Sequence, residues 1–478
     1  MKFLIHNLWT KFEGSVEEEN LLDRFLAVQD PARFHSRLFR QKIWDGYHRF
    51  YNRRRRGFPS GLINYVVGKC EKNNVPFEIV DGRVKPEPLG KDFDLDDFTP
   101  RDYQIKAAQI AVEQGRAIIH AATNSGKTEI AAMIMKKLGL PTLYIVHTNE
   151  LLMQTKKRFE MRGLNGVGII GGGNYQPGLI NISMVQTLYR YRYAEQVTEL
   201  LNNSKVLFID ECQHLAANTY YWLVMRCNAY YRYGLSGTPF RKDIFSDMRL
   251  LGATGSVLPV KIDNQFMITE GYSAIPYIVM IDTPRLYTMM NPISYAKVYD
   301  LFVKNNTLRN TAVVDATEKL CGQGKQVLVV VRQIDHGENL LELFRQRNNY
   351  IAEFVHGSSG YEQRDEALNK FRNKQIDVLI ASTIFDEGID VPEIHAVVLA
   401  VGEKSPIKLL QRIGRGLRRK ENNYLTIVDF NDTDHRYVTK HTQERKLVYV
   451  QQGFKLFHGS EHLDDVSKLE NNELLKSE

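Results

Sequence analysis

Residues 121–128 read AATNSGKT, a small polar run that ends in a lysine and a hydroxyl side chain. An apolar run containing Ile118 and Ile119 precedes it, and Ile130, Met133, Ile134 and Leu138 follow at the spacing of one helix face. Strand, loop and helix N-terminus together aim several backbone N–H groups and the positive helix end at one small volume, which is what a triphosphate needs. Thr123, Asn124, Ser125 and Gly126 would form the cradle. Lys127 would reach the β and γ phosphates, and Thr128 would ligate Mg²⁺. Ala121 stands where the general GxxxxGK(S/T) form has its first glycine, and for the loop alone a helix-initiating turn with a solvated lysine is the competing reading. A second chemical pair closes the run VLFIDE (206–211), where four apolar residues lead into Asp210 and Glu211. Acids at the C-terminal edge of a parallel sheet lie where ligands of open α/β folds collect. Asp210 suits a Mg²⁺ ligand, directly or through water, and Glu211 suits a base that orients and deprotonates an attacking water. A solvated strand end is the alternative, which fits the acids but not the four apolar residues before them.

The elements that must position these groups follow from the pattern around them. After Pro100, short β-rich runs at 142–146, 179–185, 206–210 and 233–237 alternate with helical stretches, and the alternation resumes at 326–331, 351–355, 377–382, 396–400 and 425–430. This predicts an α/β protein with two parallel-sheet units joined near residues 255–270. A chain of 478 residues, 43% apolar and 25% charged, is expected to be soluble and to hold two to four domains. The net charge of +7 says less than its placement. Residues 31–56 carry nine Arg or Lys against the single acid Asp45, whereas 461–478 carry six acids against Lys468 and Lys476. The segment 81–100, rich in Pro, Gly and Asp, reads as a linker. Cys70, Cys212, Cys227 and Cys321 are far apart with no CxxC pair, which argues against a disulfide framework or a zinc site. The opening residues have too short an apolar run for a secretory signal, and no stretch of about 18 apolar residues appears. A cytoplasmic protein is the expectation.

In this order the motifs resemble those of superfamily 2 helicases, over about residues 100–430. RDYQ (101–104) is similar to the adenine-reading Q element, which places Arg101 and Gln104 at the base. AATNSGKT resembles motif I, where an initial Ala is usual. DECQ (210–213) resembles motif II, with Gln213 where His is commoner and His214 following directly. SGTP (236–239) resembles motif III, whose hydroxyls, here Ser236 and Thr238, couple nucleotide state to grip on nucleic acid. STIFDEGIDVP (382–392) resembles motif V, which implies Gly388 and Asp390 as nucleotide contacts. QRIGRGLR (411–418) resembles motif VI, which implies Gln411 near the phosphates and Arg415 and Arg418 as arginine fingers.

The resemblance implies two RecA-like lobes using ATP and Mg²⁺: an N-terminal basic, aromatic, DNA-binding α+β domain at 1–98, lobe 1 at 99–260, lobe 2 at 261–455 and an acidic tail at 456–478. It also implies a nucleic-acid backbone contacted by Thr148, Asn149, Gln186, Thr187, Arg332, His356, Gly357, Ser382 and Thr383, whose hydroxyls, amides and N–H groups suit phosphate and sugar. The N-terminal run 33–62 interleaves Arg with Phe, Trp and Tyr, and Arg53, Arg54, Arg55 and Arg56 form a cationic cluster suited to phosphates. Core packing is the expected role of Trp44. The WDG and GFPSGL segments (44–46 and 57–62) are similar to the N-terminal region of phage UvsW-type helicases, which implies 3′ to 5′ remodelling of branched or forked DNA with single-stranded regions. The alternatives are an RNA helicase or a restriction-type translocase, and a nucleic-acid-binding protein whose nucleotide site only regulates. No membrane partner is expected, and a monomer is.

Overall fold

The computed structural model describes all residues except 91, 123–124, 241–242, 274, 287–293, 383–393, 395, 404–423 and 471–478. The chain forms two units, Met1–Asp263 and Asn264–Glu478. No helix among the described residues is long and apolar enough to cross a membrane.

The first unit opens with a small α+β part. Strands β1 (Lys2–Ile5), β2 (Trp9–Glu13), β3 (Ala27–Gln29), β4 (Tyr47–Arg49), β5 (Gly57–Pro59) and β6 (Glu78–Asp81) make a mixed four-stranded sheet of order β5-β2-β1-β6 and an antiparallel pair β3-β4. Alternating burial of β2 puts Phe12 inside, where Phe3, Phe58, Leu22 and Val66 join it. Helix Val16–Phe25 starts at a capping box, Ser15 accepting from the Glu18 N–H while the Glu18 carboxylate accepts from the Ser15 N–H.

The larger part of this unit is a seven-stranded sheet of β7 (Arg116–His120), β8 (Thr142–Val146), β9 (Val167–Gly171), β10 (Asn174–Gln176), β11 (Ile180–Met184), β12 (Val206–Asp210) and β13 (Tyr231–Ser236). The order is β10-β9-β11-β8-β12-β13-β7, parallel except for β10. Strands β8 and β12 are apolar on both faces because helices cover both. On one face Leu143, Ile145, Leu207 and Ile209 pack with Leu188 and Leu223. On the other, Tyr144 packs edge-on to Phe159 and lies beside Phe208.

The N-terminal part packs on this sheet's surroundings. Met248 belongs to the same core as Phe3 and Phe12, and His48 stacks on Phe245 at 4.2 Å. Gly61 passes so close to the Leu251 and Gly252 carbonyls that no Cβ fits there. The segment read as a linker is strapped down: the Leu89 N–H donates to the Leu138 carbonyl at 2.8 Å, Gly90 lies against the Lys136 backbone, and Arg162 donates to the Asp97 carbonyl at 2.9 Å. Its Pro, Gly and Asp residues serve close backbone approach and turns.

The second unit holds β14 (Ile275–Asp282), β15 (Val327–Val330), β16 (Ala352–Val355), β17 (Val378–Ala381), β18 (Ala396–Leu399), β19 (Tyr424–Asn431) and β20 (Lys455–His458), all parallel in the order β16-β17-β15-β18-β19-β14-β20. Two cores flank it. Leu328, Val330, Leu379 and Val397 meet Ala367, Leu368 and Phe371, while Val327, Val329, Ile380 and Val398 meet Val313, Leu320 and Leu340. Part of the stretch read as an acidic tail is built into this unit: β20 pairs with β14, and Leu463 and Val466 of helix His462–Glu470 are buried in the second core. Asp464 and Asp465 lie between those two apolar residues.

Candidate functional site

The two sequence motifs with chemical character meet at the C-terminal edge of the first seven-stranded sheet. Strand β7 leads into the phosphate-type loop, β12 ends at Asp210, and β13, lying between them, ends at Ser236. Gly126 caps helix Lys127–Leu138 with φ +79°, a left-handed conformation that favours glycine. A Cβ there would strike the Gln104 amide. Thr128 opens the helix beside Lys127. Thr123 and Asn124 lie outside the described residues.

The loop is held from behind by a network. The Tyr103 hydroxyl and the Gln104 amide nitrogen both donate to the Ser125 carbonyl at 2.8 Å. The Gln104 carbonyl accepts from the Arg101 N–H at 2.9 Å, and Gln104 is only 2% exposed. Both polar groups of Gln104 are thus engaged within the chain, where they brace the loop and cap helix Asp102–Gln114. Reading adenine, the role expected from resemblance, requires these bonds to open. Tyr103 was not singled out in the sequence, although its place next to Gln104 in RDYQ was the available signal.

Lys127 donates to the Ala121 and Ala122 carbonyls at 3.1 and 3.2 Å. A lysine resting on loop carbonyls keeps its charge solvated by the chain. Across the edge, desolvation and the neighbouring Glu211 push Asp210 up to about 6, against the pull of Lys127. Two carboxylates short of compensating charge, beside a lysine loop, fit a divalent cation with its phosphates. Among the described residues no group of three or more His, Cys, Asp or Glu gathers as a metal cage. A Mg²⁺ bound with a nucleotide takes one or two protein groups, the phosphates and water supplying the rest. Thr128 and Asp210 would hold it, and its charge would offset that of the phosphates.

Glu211 adopts φ +46°, uncommon for a residue with a Cβ, at the sharp turn after β12. Gln213, two residues after Glu211, lies between that carboxylate and Ser236. Its amide nitrogen donates to the Glu211 carboxylate at 2.7 Å, and its carbonyl accepts the Ser236 hydroxyl at 2.6 Å. Ser236 in turn accepts from the Thr238 N–H at 2.9 Å. His214 packs instead beside the His147 ring at 4.7 Å.

The expected nucleic-acid contacts of this unit follow β8 and β11, neighbours on the same edge. The Thr148 hydroxyl caps helix Asn149–Met161 by accepting from the Leu151 N–H, and Gln186 donates to the His147 carbonyl at 2.9 Å. Thr187 lies in the short helix Val185–Arg190. In the second unit, Arg332, His356 with Gly357, and Ser382 follow the adjacent strands β15, β16 and β17. Arg332 pairs with Glu403 at 2.8 Å, and Ser382 is 5% exposed. Thr383, Gly388, Asp390, Gln411, Arg415 and Arg418 lie outside the described residues.

The four arginines at 53–56 form the tip of a hairpin closed by the Asn52–Gly57 bridge. Arg53 bonds Asn20 and Asp23 at 3.0 and 3.1 Å, while Arg56 donates to the Gly14 carbonyl at 3.2 Å and lies 3.9 Å from Glu19. Arg55 covers the Trp9 ring at 4.9 Å, and among the described residues Arg54 makes no ion pair. Trp44 is half-buried rather than in the core. Its indole N–H donates to the Tyr47 carbonyl at 2.8 Å, and its ring lies 5.1 Å from His48, which reaches Phe245.

Comparison with known proteins adds to this geometry. Residues 97–241 match the family described as type III restriction enzyme, res subunit, and residues 310–420 match the helicase conserved C-terminal domain. The ATP-dependent DNA helicase uvsW of Enterobacteria phage T4 is 26% identical over 96% of this chain and 95% of its own. The DNA 3′-5′ translocase XPB2 of Sulfurisphaera tokodaii is 27% identical over 76% of this chain and 85% of its own. In fold, the chain is similar to Saccharomyces cerevisiae Dbp5 bound to RNA and ADP BeF3, with a TM-score of 0.55 at 16% identity over 78% of this chain and 93% of that one.

Proposed function

We propose that this chain, a superfamily 2 helicase resembling T4 UvsW, is a DNA translocase that moves 3′ to 5′ and remodels branched DNA such as forks and recombination junctions. Its coarser activity is that of an ATP-dependent nucleic-acid helicase. The observation that carries the mechanism is the hydrogen-bonded path from Glu211 through Gln213 to Ser236 and Thr238. It joins the carboxylate suited to the attacking water to the loop after β13, so a change at one end strains the other. In this reading Lys127 would leave the two loop carbonyls for the β and γ phosphates, and Thr128 and Asp210 would hold Mg²⁺. Glu211 would orient the water, and the resemblance to motif VI implies Arg415 and Arg418 as arginine fingers for the phosphoryl charge.

DNA is favoured over RNA because the similarity to a named DNA helicase extends over the N-terminal part with its arginine hairpin. The phosphate-and-sugar contacts themselves would serve either polymer. Purified protein should process a forked DNA and a four-way DNA junction in an ATP-dependent manner and leave an RNA duplex intact. The Lys127→Ala variant should bind the same DNA without processing it. Equal processing of the RNA duplex would replace the DNA reading, and normal ATP turnover by Lys127→Ala would remove the phosphate assignment.

A further inference from the structure

The run YRYRY (189–193), at the end of helix Val185–Arg190, is used by none of the motifs above. Here it meets helix Asn218–Val224 and builds a layered aromatic and cationic surface. The Arg192 guanidinium lies 4.4 Å from the Tyr189 ring and 4.7 Å from the Tyr193 ring. Both tyrosine rings stand perpendicular to Trp222, at 5.8 and 6.0 Å between centroids, and Arg226 covers the Trp222 face at 3.6 Å. Packing between the two helices accounts for the half-buried Tyr189 and for Leu188 and Leu223 beneath it. It does not account for Tyr191 and Tyr193, which are 55% and 78% exposed.

The charge on this surface is uncompensated. Among the described residues, none of Arg190, Arg192 and Arg226 pairs with a carboxylate, although Glu195 is close in sequence. This contrasts with Arg53 and Arg56, which lie against Asp23 and Glu19. Two exposed tyrosine rings beside guanidinium groups that meet no carboxylate suit a polyanion with flat apolar faces, because bases stack on aromatics while phosphates meet the cations. The position agrees. Gln186 lies in the first turn of the helix whose last turn carries Tyr189 and Arg190, one turn or about 5 Å along its axis.

We propose that Tyr191 and Tyr193, backed by Trp222 and flanked by Arg190 and Arg226, form a stacking surface for the unpaired bases of a single strand, without reading their sequence. The inference rests on the helicase reading and adds a base-dependent contact to a backbone-directed grip. Removing one or two stacking rings should weaken single-strand binding by about tenfold.

The test compares a single-stranded DNA oligonucleotide with an abasic oligonucleotide of the same length. Replacing both tyrosines (Tyr191→Ala with Tyr193→Ala) should lower affinity for the base-bearing strand by about tenfold and leave the abasic strand bound as before. The corresponding pair of Phe substitutions should restore binding, since the ring and not the hydroxyl is used. Both side chains are exposed, so the variants should fold. An unchanged affinity for the base-bearing strand would overturn the inference and mark the surface as one for a protein. An equal loss on both strands would overturn it in favour of a purely electrostatic patch. Failure of the unsubstituted protein to bind either strand would overturn the helicase reading, and this inference with it, before any variant is made.

Discussion

Glu211, in the turn just after β12, and Ser236, the last residue of the neighbouring β13, are joined through one side chain: Gln213 donates to the first at 2.7 Å and accepts from the second at 2.6 Å. A single planar amide therefore fixes the distance between the group suited to the attacking water and the hydroxyl at the start of SGTP. Gln213→Leu keeps the volume roughly and removes both bonds. Basal ATP turnover should fall only a few-fold, whereas its stimulation by single-stranded DNA should fall about tenfold, a loss of about 1.4 kcal/mol of coupling. Ser236→Ala should behave alike, and the double variant should be no worse than either single one, because the residues act through one path. Additive losses would show that the two bonds serve separate purposes.

The pH dependence of nucleotide binding should report Asp210. Desolvation with Glu211 alongside pushes this carboxyl up to about 6. Its folded value lies above the ordinary carboxylate value near 4, so the stability it contributes is fully present below that value and is lost as pH rises through about 6. Asp210→Asn should accordingly make the nucleotide-free protein more stable than the unsubstituted one at pH 8, with the difference vanishing towards pH 4. Mg²⁺-dependent ATP binding needs the ionised form and should weaken by up to about tenfold per pH unit below 6. Amide hydrogen exchange in β12, compared between the two proteins at each pH, and nucleotide titrations between pH 4 and 8 would check both, and a flat binding profile would remove Asp210 from the cation site.

The arginine hairpin divides into two kinds of residue, and salt titration should separate them. Arg53 is already tied to Asp23, which also holds Arg49 at 3.3 Å, whereas Arg54 makes no such pair among the described residues and Arg55 lies over Trp9. Arg54→Ala and Arg55→Ala should each weaken binding of forked DNA and reduce the salt slope by about one. Arg53→Ala should change the slope less and destabilise the N-terminal part by at most about 1 kcal/mol, as an exposed ion pair does. An equal change in slope for all three would show that Arg53 leaves Asp23 when DNA binds.

Much of the nucleotide edge was legible because its signals are local. The phosphate-type loop and the DE pair each follow an apolar strand, and that contrast alone points to the C-terminal edge of a parallel sheet. What could not be read were the partners. Gln104 is engaged by Ser125, 21 residues away, and nothing between them announces the bond. The 81–100 segment has the composition of a linker, yet its turns are shaped by the surface of helix Lys127–Leu138. The residues near the C-terminus read as an acidic tail by charge count, while two apolar residues, Leu463 and Val466, determine their placement.

Least legible of all was the charged interior of the second unit. Arg445 and Asp429 are both 0% exposed and 2.8 Å apart, and Arg309 grips Asp432 from 123 residues away at 2.7 and 3.2 Å. The Tyr449 hydroxyl donates to Asp429, and Arg445 also donates to the Glu403 and Phe430 carbonyls. This network clamps the chain leaving β18 to the end of β19, and Glu403, held by its carbonyl, presents its carboxylate to Arg332. Replacing Arg445 by Met leaves Asp429 buried with Tyr449 as its remaining side-chain donor, which should destabilise the unit by about 3–5 kcal/mol. Removing both charges together, as Arg445→Met with Asp429→Leu, should recover part of that loss, because no unpaired charge is then buried. The chain has more than one unit, so a single unfolding midpoint is the wrong measure. Amide hydrogen exchange should instead show protection lost in β19 and in helix Arg436–Gln451, with β7, β8 and β12 unaffected. If the single variant exchanges like the unsubstituted protein, the buried charges are not what holds this edge of the sheet.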